Sequence, residues 1–509
     1  MQRKQLTLVI VSLLVVVLSV SLAYFTAQII GKGKDVSVTS ANLQIVFTDS
    51  DGALTETDIE PGWSATKTFT IKNDTKTEYK YNIVIKDLVN TFVTNGYLQY
   101  KITTTNGGYN MTEFKDIPKS SAPKDTILAY SVSIPVGVTQ SYTIEFKYAN
   151  DESVDQSDDM GKKLSGTLFI TEGTEEPVTL LSQILKDNPT RSTRSNNNNG
   201  TNDFATTLTT TTTGTLFTST ESITGITDTP KEVYYYAGNT TNNWVKFANI
   251  YWRIIRTNHD SSIRLLYVGT SHDTTTGNIG TSLFNQNYNS PKYVGYKYGE
   301  DTSLDTIRNN TTDSTIKTTI DTWYQNNLTN YTKYLSTSAV YCNDRSEGTG
   351  QTYSASVKFN FAPYYRMDYD TNGAKANPSY NCTNIKDAFS VDNTSAKLDY
   401  PVSLMTADEI AFAGGVAFQN MSTPYAWFIS NSAGTQVSTD WWSLSPICWY
   451  GSSAYVWFWY SGYAYLGSNG VDYTYAVRPA ISLKSCIKYS TGNGTYETPY
   501  EIVETSSGC

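Results

Sequence analysis

The run Trp441-Trp-Ser-Leu-Ser-Pro-Ile-Cys-Trp-Tyr450, followed by Ala454-Tyr-Val-Trp-Phe-Trp-Tyr460, is the densest aromatic stretch of the chain. Five of its ten tryptophans and seven tyrosines fall between Trp441 and Tyr475. As a strand, Ala454–Tyr460 places Val456 and Phe458 on one face and Tyr455, Trp457 and Trp459 on the other. Val456 and Phe458 suit a core, which turns the second set outward. Exposed Tyr and Trp give large contact area at low entropic cost, and their rings stack on sugars. The expectation is therefore a ligand surface built from Trp449, Tyr450, Tyr455, Trp457, Trp459, Tyr463, Tyr465 and Tyr473. The competing reading is that these rings form core, as aromatic strands commonly do.

Moving outward, the C-terminal region mixes strands and helices. Tyr234–Tyr236, Trp244–Phe247, Tyr251–Ile255 and Ser262–Val268 read as strands. Ile316, Ile320, Trp323 and Tyr324 recur at helical spacing, predicting a helix around Ser314–Leu328. Thr406-Ala-Asp-Glu409 has the form of a capping box that opens a second helix. Further strands are expected at Tyr425–Ile429 and Ala454–Tyr465, ending in Val477-Arg-Pro-Ala-Ile-Ser482. Strands, two helices and more strands indicate an α+β domain over 231–509.

Upstream, residues 174–230 hold the polar runs Asn196–Asn199 and Thr209–Thr213, which have little to bury and read as a spacer. A long loop packed on the next domain is the alternative. Residues 35–173 carry short alternating runs such as Lys67–Ile71, Tyr79–Ile85 and Tyr142–Phe146, with turn clusters between them, predicting an all-β sandwich. At the start, Arg3 and Lys4 precede an uncharged apolar run from Leu6 to Ile30. At about 1.5 Å per residue a helix of that length crosses a ~30 Å hydrocarbon layer. Segment 1–34 is thus either a retained transmembrane anchor or a cleaved secretory signal with small residues at Ser19–Ala23, and both readings export the rest. No cysteine follows the run as in a lipoprotein, and the C-terminus lacks a hydrophobic tail or a sortase-type signal.

Composition bounds the function. Charged residues make up 17% of the chain and the formal charge is −9, which argues against nucleic acid as a partner. Two histidines, His259 and His272, leave few ways to build a histidine metal site or a nucleophile triad. There is no GxSxG elbow, HExxH helix, phosphate-cradling loop or CxxC pair. The carboxylates Asp408-Glu409 and Asp368/Asp370 are visible, and capping explains Glu409 better than catalysis does. No enzyme, metal or cofactor is expected. Among the five cysteines, Cys342 and Cys382 are the first choice for a structural disulfide in an oxidising compartment. Cys486–Cys509 is a second option, Cys448 is the odd one, and free thiols throughout are the alternative.

Two resemblances sharpen these expectations. Ala41–Phe47 and Glu60-Pro-Gly-Trp-Ser-Ala-Thr-Lys-Thr-Phe-Thr-Ile-Lys-Asn73, with the leader ending Leu22-Ala-Tyr-Phe-Thr26, resemble the camelysin-type Ig-like sandwich of Gram-positive surface and biofilm-fibre proteins. In the C-terminal part, Tyr251-Trp-Arg-Ile-Ile-Arg256, Tyr341-Cys-Asn-Asp-Arg345 and Tyr400-Pro-Val-Ser-Leu-Met-Thr-Ala-Asp-Glu409 resemble Firmicutes surface proteins. Trp441-Trp-Ser-Leu-Ser-Pro446 and Val477-Arg-Pro-Ala480 are similar to the end of the C-type-lectin-like fold shared by formylglycine-generating-enzyme relatives and diversity-generating-retroelement variable proteins. The enzyme branch needs a cysteine pair, and only Cys448 lies between Trp441 and Pro479. The variable-protein branch implies a ligand surface at 447–475. The whole reads as a multidomain cell-surface protein: transmembrane or signal helix, Ig-like sandwich, spacer and C-type-lectin-like domain, held to the membrane by the first helix. Its expected partner is an extracellular protein or glycan. A structural fibre subunit assembling through the sandwich is the alternative.

Overall fold

The computed structural model describes the backbone of 36–40, 43–49 and 54–56 and the chain from Glu60 onward. Residues 95, 175, 177, 198–200, 206–207, 209–213, 368, 372–374, 421–425, 430, 433–438, 504 and 506–507 are not described. The chain divides into two units, Met1–Glu176 and Pro177–Cys509.

Among the described residues of the first unit, ten strands form two sheets. They are β1 (Val36–Ser40), β2 (Leu43–Asp49), β3 (Leu54–Glu56), β4 (Ser64–Asn73), β5 (Tyr79–Asn90), β6 (Leu98–Thr104), β7 (Lys115–Asp116), β8 (Ser120–Ile134), β9 (Thr139–Tyr148) and β10 (Leu164–Glu172). One sheet has the order β1-β2-β4-β9-β6-β7 and the other β3-β10-β5-β8. The period-two pattern dictates the layering. In β9 every second residue from Gln140 to Tyr148 is buried, and these meet Tyr81, Ile83 and Ile85 of β5 in one core. Phe69 and Tyr142 are direct cross-strand partners, with rings stacked at 4.9 Å. The inward hydroxyls are satisfied among themselves: Tyr81 donates to Gln140 Oε1 at 2.6 Å, and Tyr148 donates to Asp159 at 2.8 Å.

The second unit is built on two sheets joined by one large core. The larger sheet runs Thr190–Thr193, Thr215–Glu221, Lys231–Tyr235, Ile250–Thr257, Trp244–Phe247, Tyr500–Ile502, Tyr489–Thr491, and also takes in Ile263–Gly269, Pro479–Leu483 and Val402–Leu404. The aromatic sheet runs Thr281–Leu283, Thr474–Ala476, Trp441–Trp449, Ala454–Tyr460, Tyr465–Gly470. The C-terminal strand lies parallel to Trp244–Phe247, and Leu180 N donates to Ile487 O at 2.8 Å, so the unit's two ends close on each other. The helix Thr315–Asn327 starts at its cap Ser314, whose side chain accepts from Lys317 N. Ile316, Ile320 and Tyr324 enter the core.

Several expectations need correction. The described structure is mostly β-sheet and 14% helical, so the chain is a multi-sheet β protein rather than one carrying an α+β domain. No helix among the described residues is long and apolar enough to cross a membrane. The helix expected within 1–34 lies outside the described residues. The second unit begins at Pro177, and much of the stretch read as a spacer is structured within it. Leu180 and Ile184 are core residues, and Thr215–Glu221 is a sheet strand. The strand expected at Tyr425–Ile429 is not formed by its described residues, Ala426–Ile429. Ala426–Ile429 forms a buried turn, whose carbonyls are taken by arginines instead of a ladder: Arg253 donates to Trp427 O at 3.0 Å and Arg478 to Phe428 O at 3.0 Å.

Candidate functional site: a tyrosine-lined hairpin

Three antiparallel strands carry the aromatic stretch. Trp441 pairs with Trp459, Trp442 with Phe458 and Trp449 with Ala454, with irregularities on either side of Pro446. A proline has no N–H for the ladder, which is why it falls at a break in register. Ala454–Tyr460 then pairs with Tyr465–Gly470, Tyr460 lying opposite Tyr465 and Phe458 opposite Gly467. A Cβ on Gly467 would sit 2.8 Å from the Phe458 ring, so only glycine lets that ring lie across the strand.

The Trp-Trp-Ser and Arg-Pro motifs anchor this sheet. Trp442 donates its indole N–H to Ser282 O at 2.9 Å, and Ser443 donates to Trp457 O at 2.9 Å. The Arg478 guanidinium lies 5.2 Å from the centre of the Trp441 ring.

The expected ligand residues separate into two groups. Trp449, Trp457 and Trp459 are core, none more than 2% exposed. Period-two alternation does expose one face of a half-covered strand, but here both faces are covered. Phe428 packs edge-on to Trp459 at 4.9 Å, Phe418 lies 5.8 Å from Trp457, and Trp449 pairs with Phe359 of a further short strand. The tyrosines behave differently. Tyr450, Tyr463 and Tyr473 are 50%, 51% and 55% exposed and sit at the turns, not in the strands. Tyr455 and Tyr465 are half-buried beside them, as are Tyr460 and Tyr475, which the expected set lacked.

These ring contacts fall into two groups, one at each end of the strand Ala454–Tyr460. Tyr450 lies 5.3 Å from Tyr455, Tyr460 is 5.1 Å from Tyr463 and 5.4 Å from Tyr465, and Tyr475 stacks on Phe458 at 4.6 Å. Burial, then neighbouring Cys448, Tyr473, Tyr450 and Asp472, push the Tyr455 phenol above its ordinary range. Lys358 Nζ sits 4.1 Å from the centre of the Tyr450 ring. The surface thus offers phenol faces, hydroxyls and one ammonium: the means to stack on and hydrogen-bond a ligand without covalent chemistry.

Other groups have structural partners. Cys342–Cys382 and Cys486–Cys509 are disulfides, which places the protein in an oxidising environment. Cys448 is a buried free thiol, pushed up to about 12 by burial, so it is held protonated at neutral pH and is a poor nucleophile. Carboxylate oxygens of Asp313, Asp321 and Asp399 gather within 4.8 Å of one another. Lys317 Nζ fills their centre, 3.0, 2.5 and 2.6 Å from them, an internal ammonium where a cation would otherwise fit. His272 Nδ1 lies 2.7 Å from Ser432 Oγ, and Ser432 N also donates to His272 O. Among the described residues no carboxylate hydrogen-bonds this imidazole, and the pair acts as a loop tie.

The sequence reading missed a buried charge network. Glu409 closes the expected capping box with Thr406 and also accepts from Arg256 at 2.8 Å and Arg264 at 2.6 Å. Arg256 reaches Glu221 at 2.9 Å. Asp387 is bound by Arg345 at 2.7 Å and Arg308 at 2.9 Å. The available signal was the arginine placed within apolar strands at Tyr251–Arg256 and Ser262–Tyr267, where a charge needs a buried partner. No family model, curated protein or solved structure matches the chain.

Proposed function

We propose that the Pro177–Cys509 unit is a C-type-lectin-like binding module working outside the cell, at the cell surface. It captures an extracellular protein or glycan, non-covalently, through the tyrosine face of the Tyr450–Tyr475 hairpin. The observation that carries this reading is the exposure of Tyr450, Tyr463 and Tyr473, each at least half open to solvent, on a sheet whose tryptophans are all buried. Large rings left at turns add nothing to the core, and tyrosine is the residue that rigid recognition surfaces favour. The sandwich of the first unit serves in this scheme as the stem that displays the module.

The test is a protein and glycan array screened with the full chain. A specific hit lost in the Tyr450→Ser/Tyr463→Ser/Tyr473→Ser variant, with an unchanged unfolding transition, supports the reading. A hit that survives the triple substitution, or silence across both arrays from folded protein, refutes binding through this face. Polymers formed by the full chain alone would favour a fibre subunit.

A further inference from the structure

Six arginines of the second unit are buried among the described residues: Arg253, Arg256, Arg264, Arg308, Arg345 and Arg478. Arg256, Arg264, Arg308 and Arg345 each meet a carboxylate, at distances from 2.6 to 2.9 Å. Arg253 and Arg478, only 4% and 2% exposed, meet none among the described residues. Arg253 spends three of its five N–H groups on uncharged oxygens: Asn243 Oδ1 at 2.6 Å, Trp427 O at 3.0 Å and Thr240 O at 3.0 Å. Among the described residues Arg478 bonds only the carbonyls of Phe428 and Tyr267. Burial pushes both guanidinium groups down to about 9, and for Arg253 the nearby Arg478 charge adds to the effect. A fold that pairs four buried arginines with acids and leaves two adjacent ones without has an uncompensated positive interior at one place.

That place opens on a cavity. Arg253, Trp244, Trp427, Tyr496, Thr241 and Asn431 are among the residues lining a pocket of about 170 Å3. The guanidinium lies 4.3 Å from the centre of the Trp244 ring and 5.4 Å from that of Trp427. None of the pocket's lining residues belongs to the tyrosine hairpin. The geometry points to a second binding site here, for one acidic sugar residue, a uronic or sialic acid, whose carboxylate supplies the counter-charge that Arg253 lacks. Each wall matches a part of such a ligand. A planar guanidinium recognises a carboxylate, the half-buried Tyr496 ring can stack on the apolar face of a pyranose while the two buried indoles hold the guanidinium in place, and the threonine and asparagine side chains suit its hydroxyls. A bare phosphate would leave the Tyr496 ring without a role, and a neutral sugar would leave the charge unmet.

Isothermal titration of the full chain with glucuronate, N-acetylneuraminate, glucose and inorganic phosphate decides it. The expected result is binding of at least one acidic sugar at least about tenfold tighter than glucose, weakening as salt is raised. Thr241 is exposed at the rim, so Thr241→Trp should block the cavity and abolish that binding with no change in the unfolding transition. Arg253→Gln should abolish it too, and the rim variant decides the matter if that protein does not fold. The tyrosine triple variant should bind the sugar as well as the unaltered protein, which separates this site from the hairpin. Equal affinity for glucose, binding of phosphate alone, no binding by folded protein, or affinity unaltered in Thr241→Trp would each overturn the assignment.

Discussion

Arg256 Nε lies 2.8 Å from Glu409 Oε1, and the same oxygen accepts Arg264 Nη1 at 2.6 Å. One carboxylate thus holds two guanidinium groups from neighbouring strands while its other oxygen caps a helix through Thr406 N at 2.9 Å. Glu409→Gln keeps the cap and removes the charge. It should cost about 3–5 kcal/mol of unfolding free energy, because it strips buried Arg264 of its carboxylate and leaves Arg256 with Glu221 alone. Urea denaturation followed by tryptophan fluorescence measures this. A loss below about 1 kcal/mol would mean that the cap, not the charge, is what matters.

Acid should loosen the same region. Burial raises the Glu221 carboxyl, but Arg256, the His259 and Arg256 hydrogen bonds and Arg264 together hold it down to about 2 from 4.5. A carboxyl lower in the folded than in the unfolded chain stabilises fully above the unfolded value, and that stabilisation fades as pH falls from about 4.5 towards 2. The shift corresponds to about 3 kcal/mol. Thermal unfolding at pH 7, 4 and 3 should show the loss, and Glu221→Gln should flatten it at the expense of stability at pH 7.

The two classes of aromatic residue predict opposite phenotypes. Trp457→Ala removes a fully buried indole and should cost about 3–5 kcal/mol. Tyr450→Ser, Tyr463→Ser or Tyr473→Ser should each change stability by no more than about 0.5 kcal/mol. Equal costs for both classes would show that the turn tyrosines are part of the packing after all.

Thiol chemistry gives a count. Folded protein without reductant should show no thiol reactive to a chromogenic disulfide reagent, since Cys448 is buried and the other four cysteines are bonded. Unfolding without reductant should expose one. Replacing Cys342 and Cys382 with serine should cost about 2–4 kcal/mol through the freedom it returns to the unfolded chain.

What could be read from the sequence was local. The alternation in Lys67–Ile71 and Tyr142–Phe146 reports a half-covered strand, and those strands have one face in a core. Ser314 and Thr406 sit at helix starts because a side-chain oxygen must satisfy an amide there, a rule of neighbours in sequence. The aromatic strand misled because period two states which residues share a face, not how many faces are covered. Phe418 and Phe428, which close over Trp457 and Trp459, come from outside the aromatic strands. Arg256 and Glu409 are 153 positions apart, and no spacing in one sequence announces such a pair. In the polar stretch before Lys231, sparse apolar residues such as Leu180, Ile184 and Leu216 enter the core, while the run Thr209–Thr213 lies outside the described residues.

Tyr450, Tyr463 and Tyr473 stand at turns while the tryptophans beneath them are locked between two layers. Substitution at the three turn positions therefore leaves the frame unaltered. A lineage can change the chemistry of this surface, residue by residue, without passing through an unfolded intermediate genotype. The buried indoles make the surface evolvable by making themselves immovable.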